Sequence, residues 1–383
     1  MEKLMRRHWW KVLSVLILVY AFVAGLLVPL KPNVVSVSPT AARMGTEQRF
    51  EVVGYNTQFG GDAGGSRAWL NLTVDDQLLS LPATAVTARD DRRATLTFDL
   101  PEYLPLEDTT AVSLSLIMSG PASGTFVVPN AVAVRQSRVA DDLGEVRREW
   151  SGYTLASGEL VPNTAYTFPY RGLLSETIRN TYFHVSLWFA MLFLFIAAVV
   201  YAVKYLRWKS RSEDELLTAP LDRLTAPDRY DNWCVALTAV GMLFGVLGLL
   251  TGAVWARYTW GSWWNWDIKQ FTTLIALLIY AGYFVLRAAF PDPEQRARLG
   301  SVYNIFAFAC LIPLIYVLPR MSSTSLHPGA EGNPAMGGED LDNTMRMVFY
   351  PTIIGWTLFG GWMAGVAYRA RNLNQRLLAQ ALR

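Results

Sequence analysis

The sequence predicts an α-helical integral membrane protein with about six transmembrane helices, into which an all-β domain of immunoglobulin-like sandwich type is inserted. Three observations predict it: a composition too apolar for an ordinary soluble chain, a series of long uncharged runs, and a polar insertion whose hydrophobic residues alternate. Of 383 residues, 52% are hydrophobic and 17% charged, against about 25% charged in a typical soluble domain. The formal charge is +3, and its Lys and Arg residues sit beside the apolar runs. That is the distribution of membrane-flanking cations and argues against a nucleic-acid surface.

Apolar stretches run near 12–30, 182–203, 233–255, 271–289, 300–319 and 347–368, each close to the length of about 20 residues that crosses a hydrocarbon core. None alternates in the manner of a barrel strand, so helices are expected. The first run has a basic start and lacks a small-residue cleavage site before Lys31, and it reads as a retained anchor. Lys3, Arg6, Arg7 and Lys11 precede it; Lys204, Arg207, Lys209, Arg211, Arg223 and Arg229 separate the second and third runs. Arg287, Arg296 and Arg298 separate the fourth and fifth, and Arg369, Arg371, Arg376 and Arg383 follow the last. The positive-inside rule places all of these, and so both termini, in the cytoplasm.

The insertion of about 150 residues after the first run is too polar for lipid and has the size of one domain. Its segments 48–55, 68–74, 93–100, 111–118 and 125–134 alternate as half-buried strands do and are separated by Gly, Pro and Asp clusters. The expected organisation is residues 1–31 as N-terminus and first helix, 32–139 as an exported β-sandwich and 140–180 as a return segment. Residues 181–383 then form a five-helix membrane domain. The two cysteines, Cys234 and Cys310, fall inside apolar runs, and with no CxxCH the chain is not itself a c-type cytochrome.

Only three histidines occur. His8 lies in the basic start, whereas His184 and His327 fall at the outer end of the second run and in the loop after the fifth, on one side of the membrane. Two imidazoles facing one another suit the axial positions of haem iron, while a bare zinc site asks for more ligands than these. Haem also asks for aromatic faces, and the loop after the third run supplies Trp260-Gly261-Ser262-Trp263-Trp264-Asn265-Trp266-Asp267. An interfacial aromatic belt accounts for one or two tryptophans, not for four packed around Gly261. Arg179, Arg257, Lys269, Arg320 and Arg346 are candidate partners for the propionates, each with the alternative of a plain interfacial anchor. Met321 and Met345 are weaker iron-ligand candidates. There is no Walker A, no GxGxxG before a helix and too few histidines for a Ser/His/Asp arrangement, so no enzymatic chemistry of the protein's own is expected.

The run from Trp260 to Asp267 closely resembles the tryptophan-rich WWD motif of the haem-handling proteins of cytochrome c assembly, and its six-span plan resembles the CcmC-like haem-delivery subunits. The resemblance covers about residues 177–368. It implies haem b as cofactor, His184 and His327 as axial ligands, and Trp260, Trp263, Trp264, Trp266 and Asp267 as the platform for the exposed haem edge. It further implies a multi-pass protein of the bacterial inner membrane with the haem site and β-domain periplasmic. Its partners would be ATP-binding-cassette transporter subunits, a small membrane subunit and a periplasmic haem chaperone that receives haem during c-type cytochrome biogenesis. Two features depart from the compact family plan: the β-rich insertion, and Lys269-Gln270 directly after Asp267. An electron-carrying cytochrome b is the alternative, although it would place haem ligands at two depths. A receptor anchored by its helices is a third reading, and it leaves the Trp loop and histidine pair without a role.

Overall fold

A computed structural model describes residues 2–61, 64–74, 77–109, 111–136, 138–151, 160–172, 174–209, 226–327 and 341–381. Arg211, Arg223 and Arg383 of the expected cytoplasmic segments, and part of the return segment, lie outside them. The chain divides into two compact units, Pro29–Ser175 and a second made of Met1–Val28 with Glu176–Arg383.

The first unit is the β-domain. Strands β1 (Asn33–Ser38), β3 (Glu47–Tyr55), β7 (Arg93–Asp99) and β6 (Ala85–Ala88) form one sheet in the order β1-β3-β7-β6. Strands β2 (Ala41–Arg43), β9 (Gly124–Arg135), β8 (Ala111–Gly120), β4 (Arg67–Val74) and β5 (Gln77–Pro82) form the other, in the order β2-β9-β8-β4-β5. These orders correspond to the A-B-E-D and G-F-C-C′ sheets of an immunoglobulin sandwich, with the first strand divided between the two. Period-two patterning puts Phe50, Val52, Leu96 and Phe98 of one sheet and Leu70, Leu72, Leu114, Leu116 and Val132 of the other into a single buried core. Helix α2 (Leu143–Ser151) adds Trp150, fully buried, whose indole N–H donates to the Tyr103 carbonyl at 3.1 Å. Part of the expected return segment thus contributes to this core.

The second unit is helical: α1 (Glu2–Leu27), α3 (Ser186–Lys209), α4 (Ala226–Trp260), α5 (Ile268–Ala289), α6 (Pro293–Ile312) and α7 (Asn343–Ala381). Five stretches among the described residues are long and apolar enough to cross a membrane: His8–Leu27, Ser175–Lys209, Pro227–Trp260, Ile268–Ala289 and Pro293–Met321. The sixth expected span is a helix too, α7. It falls short of the hydropathy of the other five because Tyr350, Pro351, Gly355, Trp356, Gly360, Gly361 and Trp362 dilute its apolar run. It packs on α1, α3 and α4, and the Ser14 hydroxyl donates to the Gly355 carbonyl at 3.1 Å.

Glycines line the contact of α3 with α4. A Cβ on Gly241, Gly248 or Gly252 would fall 2.5 Å from the Phe195 ring, 2.7 Å from the Trp188 indole and 2.7 Å from the His184 imidazole, respectively. Small residues at this spacing let two helices approach backbone to backbone in lipid. Toward the opposite end of α4, Arg287 of α5 makes a bidentate pair with Asp231 of α4, 2.7 Å in each arm, and Arg371 of α7 stands 3.7 Å from the same carboxylate. Asn232 joins Asn372 and Gln375 by hydrogen bonds. Buried charges are tolerated when paired and hydrogen-bonded, and Asp231 with its two arginines ties three helices together.

Candidate functional site

His184 lies in a π-helical turn, Thr181–Val185, at the head of α3; such turns recur where a helix carries function. Its imidazole rests on Gly252. Nδ1 stands 3.0 Å from the Gly248 carbonyl and 3.1 Å from the Thr251 hydroxyl. A carbonyl can only accept, so Nδ1 carries the proton and Nε2 is left as the acceptor nitrogen. Trp188, one turn further along α3, donates its indole N–H toward that Nε2 at 3.3 Å, and Trp255 of α4 meets the imidazole edge-on with centroids 5.7 Å apart. Trp255 is itself fixed by donating to the Thr177 hydroxyl at 3.1 Å.

His327 reaches the same end of α4 from the loop that follows the fifth apolar stretch. Its Nδ1 lies 2.7 Å from Oδ1 of Asp267, and Trp260 meets its ring edge-on at 4.9 Å. Trp255 and Trp260 are five residues apart on one helix, about 7.5 Å of rise, so both imidazoles contact the last two turns of α4. Asp267 also accepts from the backbone N–H groups of Leu326 at 2.7 Å and Lys269 at 2.9 Å and from the Ser325 hydroxyl at 3.0 Å. Burial opposes its charge. The hydrogen bond and charge of His327 and the two N–H donors outweigh burial and hold the carboxyl well below the usual carboxylate range. Burial pushes the His327 imidazole below its ordinary value, against the pull of Asp267, and its Nδ1–H donates to the carboxylate. Asp267 is 7% exposed and placed behind His327, where it fixes the orientation of the imidazole. It is not part of an exposed face.

The tryptophans divide into two groups. Trp263 and Trp266 are 56% and 71% exposed, while Trp260 and Trp264 are partly buried. Trp264 meets Trp266 edge-on at 5.8 Å, and its indole nitrogen is buried without a partner. Two positive φ angles turn the loop: Gly261 at 84°, where glycine costs nothing, and Trp266 at 53°, where a bulky residue is strained. Ser262 bonds Asn265, Arg257 donates to the Gly261 carbonyl, and the Asn265 N–H donates to Oε1 of Gln270 at 3.0 Å. Gln270 thus pins the base of the loop.

The five candidate cations separate just as clearly. Arg179 donates to the carbonyls of Gly25 and Val28 and pairs with Glu176, so it closes the end of α1. Arg257 and Arg346 are held by Gly261 and Asn343. Lys269 and Arg320 lie within electrostatic range of each other, on α5 and the Leu318–Met321 turn that packs on it. Met345 is buried and Met321 is 77% exposed. Among the described residues, no group of three or more His, Cys, Asp or Glu side chains is placed to hold a bare metal ion. Sequence reasoning missed Trp188, Gly248, Thr251 and Gly252, for which the one available signal is spacing: Trp188 is four residues from His184, and the two glycines are four apart.

Fold and site together define a multi-span membrane protein with an inserted immunoglobulin-like domain and two histidines gathered beside a tryptophan-rich loop. Residues 167–327 match the cytochrome C assembly protein family, a stretch that includes both histidines and the whole loop. The chain is 31% identical over 142 residues to heme exporter protein C of Bradyrhizobium diazoefficiens, covering 37% of this chain and 53% of that protein. It is 31% identical over 153 residues to heme exporter protein C of Paracoccus denitrificans, covering 38% and 60%. To cytochrome c biogenesis protein CcsA of Synechococcus sp. it is 34% identical over 100 residues, covering 26% and 31%. The chain spans about half the length of the heme exporter relatives it matches. It resembles the CcmC-like haem-handling proteins, with an additional β-domain.

Proposed function

We propose that this protein binds haem b between His184 and His327 at the outer face of the bacterial inner membrane and passes it to a periplasmic haem chaperone in c-type cytochrome assembly. One observation carries the reading: two imidazoles from separate segments reach one end of α4 with Nδ1 committed to protein acceptors, which leaves Nε2 of each as the nitrogen available to iron. The residues fit the group. Trp260, Trp263, Trp264 and Trp266 offer aromatic faces, the buried Trp264 N–H lacks an acceptor, and Lys269 and Arg320 are cations suited to carboxylates. Bound haem would supply the reactive vinyl edge that the acceptor needs. The protein's part is to orient it with two ligands and to keep one side reachable behind exposed Trp263 and Trp266, as a transfer and assembly factor and not an enzyme. ATP-binding-cassette subunits and a small membrane subunit are the expected partners, both termini are cytoplasmic, and the β-domain is periplasmic. With both ligands at one end of the helices, transmembrane electron transfer by a cytochrome b is poorly served.

The test is the absorption spectrum of the purified protein, expected to carry about one low-spin haem with two imidazole ligands. His184→Ala and His327→Ala should each convert it toward a high-spin form. A double variant with an unaltered low-spin spectrum refutes the assignment.

A further inference from the structure

The acceptor nitrogen of His184 already has a partner. With Nδ1 protonated and held by Gly248, the single lone pair of the ring is on Nε2, and the Trp188 indole N–H occupies it at 3.3 Å with the two rings near perpendicular at 82°. Both rings are pressed against α4: a Cβ would come within 2.7 Å of His184 at position 252 and within 2.7 Å of Trp188 at position 248. Neither ring can swing toward α4 to escape the other, and an i,i+4 pair on one helix meets by construction.

We propose that Trp188 is a stand-in ligand for His184: its N–H holds the Nε2 lone pair in the empty site and yields it when iron is bound. The proposal rests on His184 being an axial ligand. One lone pair serves one partner at a time, so the Trp188 hydrogen bond and an iron bond at Nε2 exclude each other. Without Trp188 the empty site would leave a buried acceptor unpaired, which disfavours the empty state. With Trp188 present the empty state is stabilised, and release is easier by about fivefold, the equilibrium weight of one neutral hydrogen bond. For a carrier that must hold its cargo and then give it up, such a competitor sets the balance between the two.

The experiment uses the full chain in detergent with two replacements at position 188: Trp188→Phe, and benzothienylalanine, which keeps the indole shape and lacks the N–H. Without haem, diethyl pyrocarbonate modification of His184 is followed by peptide mass spectrometry, with His327 of the same molecule as internal reference. His184 should react about fivefold faster in both variants while His327 is unchanged. Loaded with haem, both variants should lose it to excess apomyoglobin about fivefold more slowly, with the absorption spectrum of the wild type. Wild-type reactivity and release in the shape-preserving variant overturn the proposal, as does a rise confined to Phe, which reports access to the ring. If His184→Ala keeps its low-spin spectrum, the ligand reading fails and takes this proposal with it. If His184→Ala loses that spectrum while both position-188 variants behave as wild type, only the role of Trp188 falls.

Discussion

Gly252→Ala places the sharpest demand on the site geometry. The added methyl would stand 2.7 Å from Cε1 of His184, 3.3 Å from Nδ1 and 3.5 Å from Nε2, so the imidazole must move by several tenths of an ångström. That movement works against the 3.0 Å bond from Nδ1 to Gly248. Overpacking of this kind costs about 1–3 kcal/mol, which corresponds to a loss of haem affinity of roughly 5- to 150-fold if the strain falls on the ligand. Gly361→Ala is the control, because a Cβ there meets nothing within 4 Å; the gain in helix propensity is at most about 1 kcal/mol. Haem titration at the Soret band and thermal unfolding in the same detergent read both variants. Gly252→Ala with wild-type affinity and spectrum would show that the ring does not depend on this seam, and the account of how α4 positions His184 would be wrong.

Other outcomes follow from neighbouring contacts. Asp267→Asn keeps an acceptor but removes the charge opposite His327, so iron ligation by His327 should weaken by about 10- to 100-fold in haem affinity, with a raised reduction potential; an unchanged potential contradicts the carboxylate's role. Trp264→Ala with Trp266→Ala removes an edge-on pair and leaves both imidazoles, so the low-spin spectrum should persist while transfer to the chaperone falls, and full chaperone loading would refute the platform. Asp231→Ala should cost about 3–5 kcal/mol by stranding Arg287 in the helix bundle, whereas Asp231→Leu with Arg287→Met should cost less; equal unfolding temperatures for the two would show that the pair is not what holds α4 to α5.

Strands β3, β4, β7, β8 and β9 were legible because each presents two or more apolar residues to the core at alternate positions over seven or more residues. β2 has three residues and β6 four, too few to display a period, and β5 carries Leu78 beside Leu79, which blurs the alternation. The two histidines and the tryptophan run were visible as residue types; their bonding was not. That Asp267 stands behind His327 depends on where a loop about 60 residues further along the chain returns, which no local pattern encodes. Arg179 reads as a propionate partner in sequence and as the end of α1 in space for the same reason. The glycines of α4 announce a close helix contact, but only the register between α3 and α4 decides that the contact falls on His184.

One carboxylate bonds both the first turn of α5 and the segment from Ser325 to His327. Asp267 follows Trp266, the most exposed tryptophan of the loop, by a single peptide bond. The loop and His327 therefore share a mechanical fulcrum: a partner that presses on Trp266 bends the chain next to the side chain that aims His327. Displacing the loop while leaving the imidazole in place would require breaking one of four hydrogen bonds at a site with little solvent to replace them. Contact with the loop is thus felt at the partly buried His327 ring without any change of helix packing.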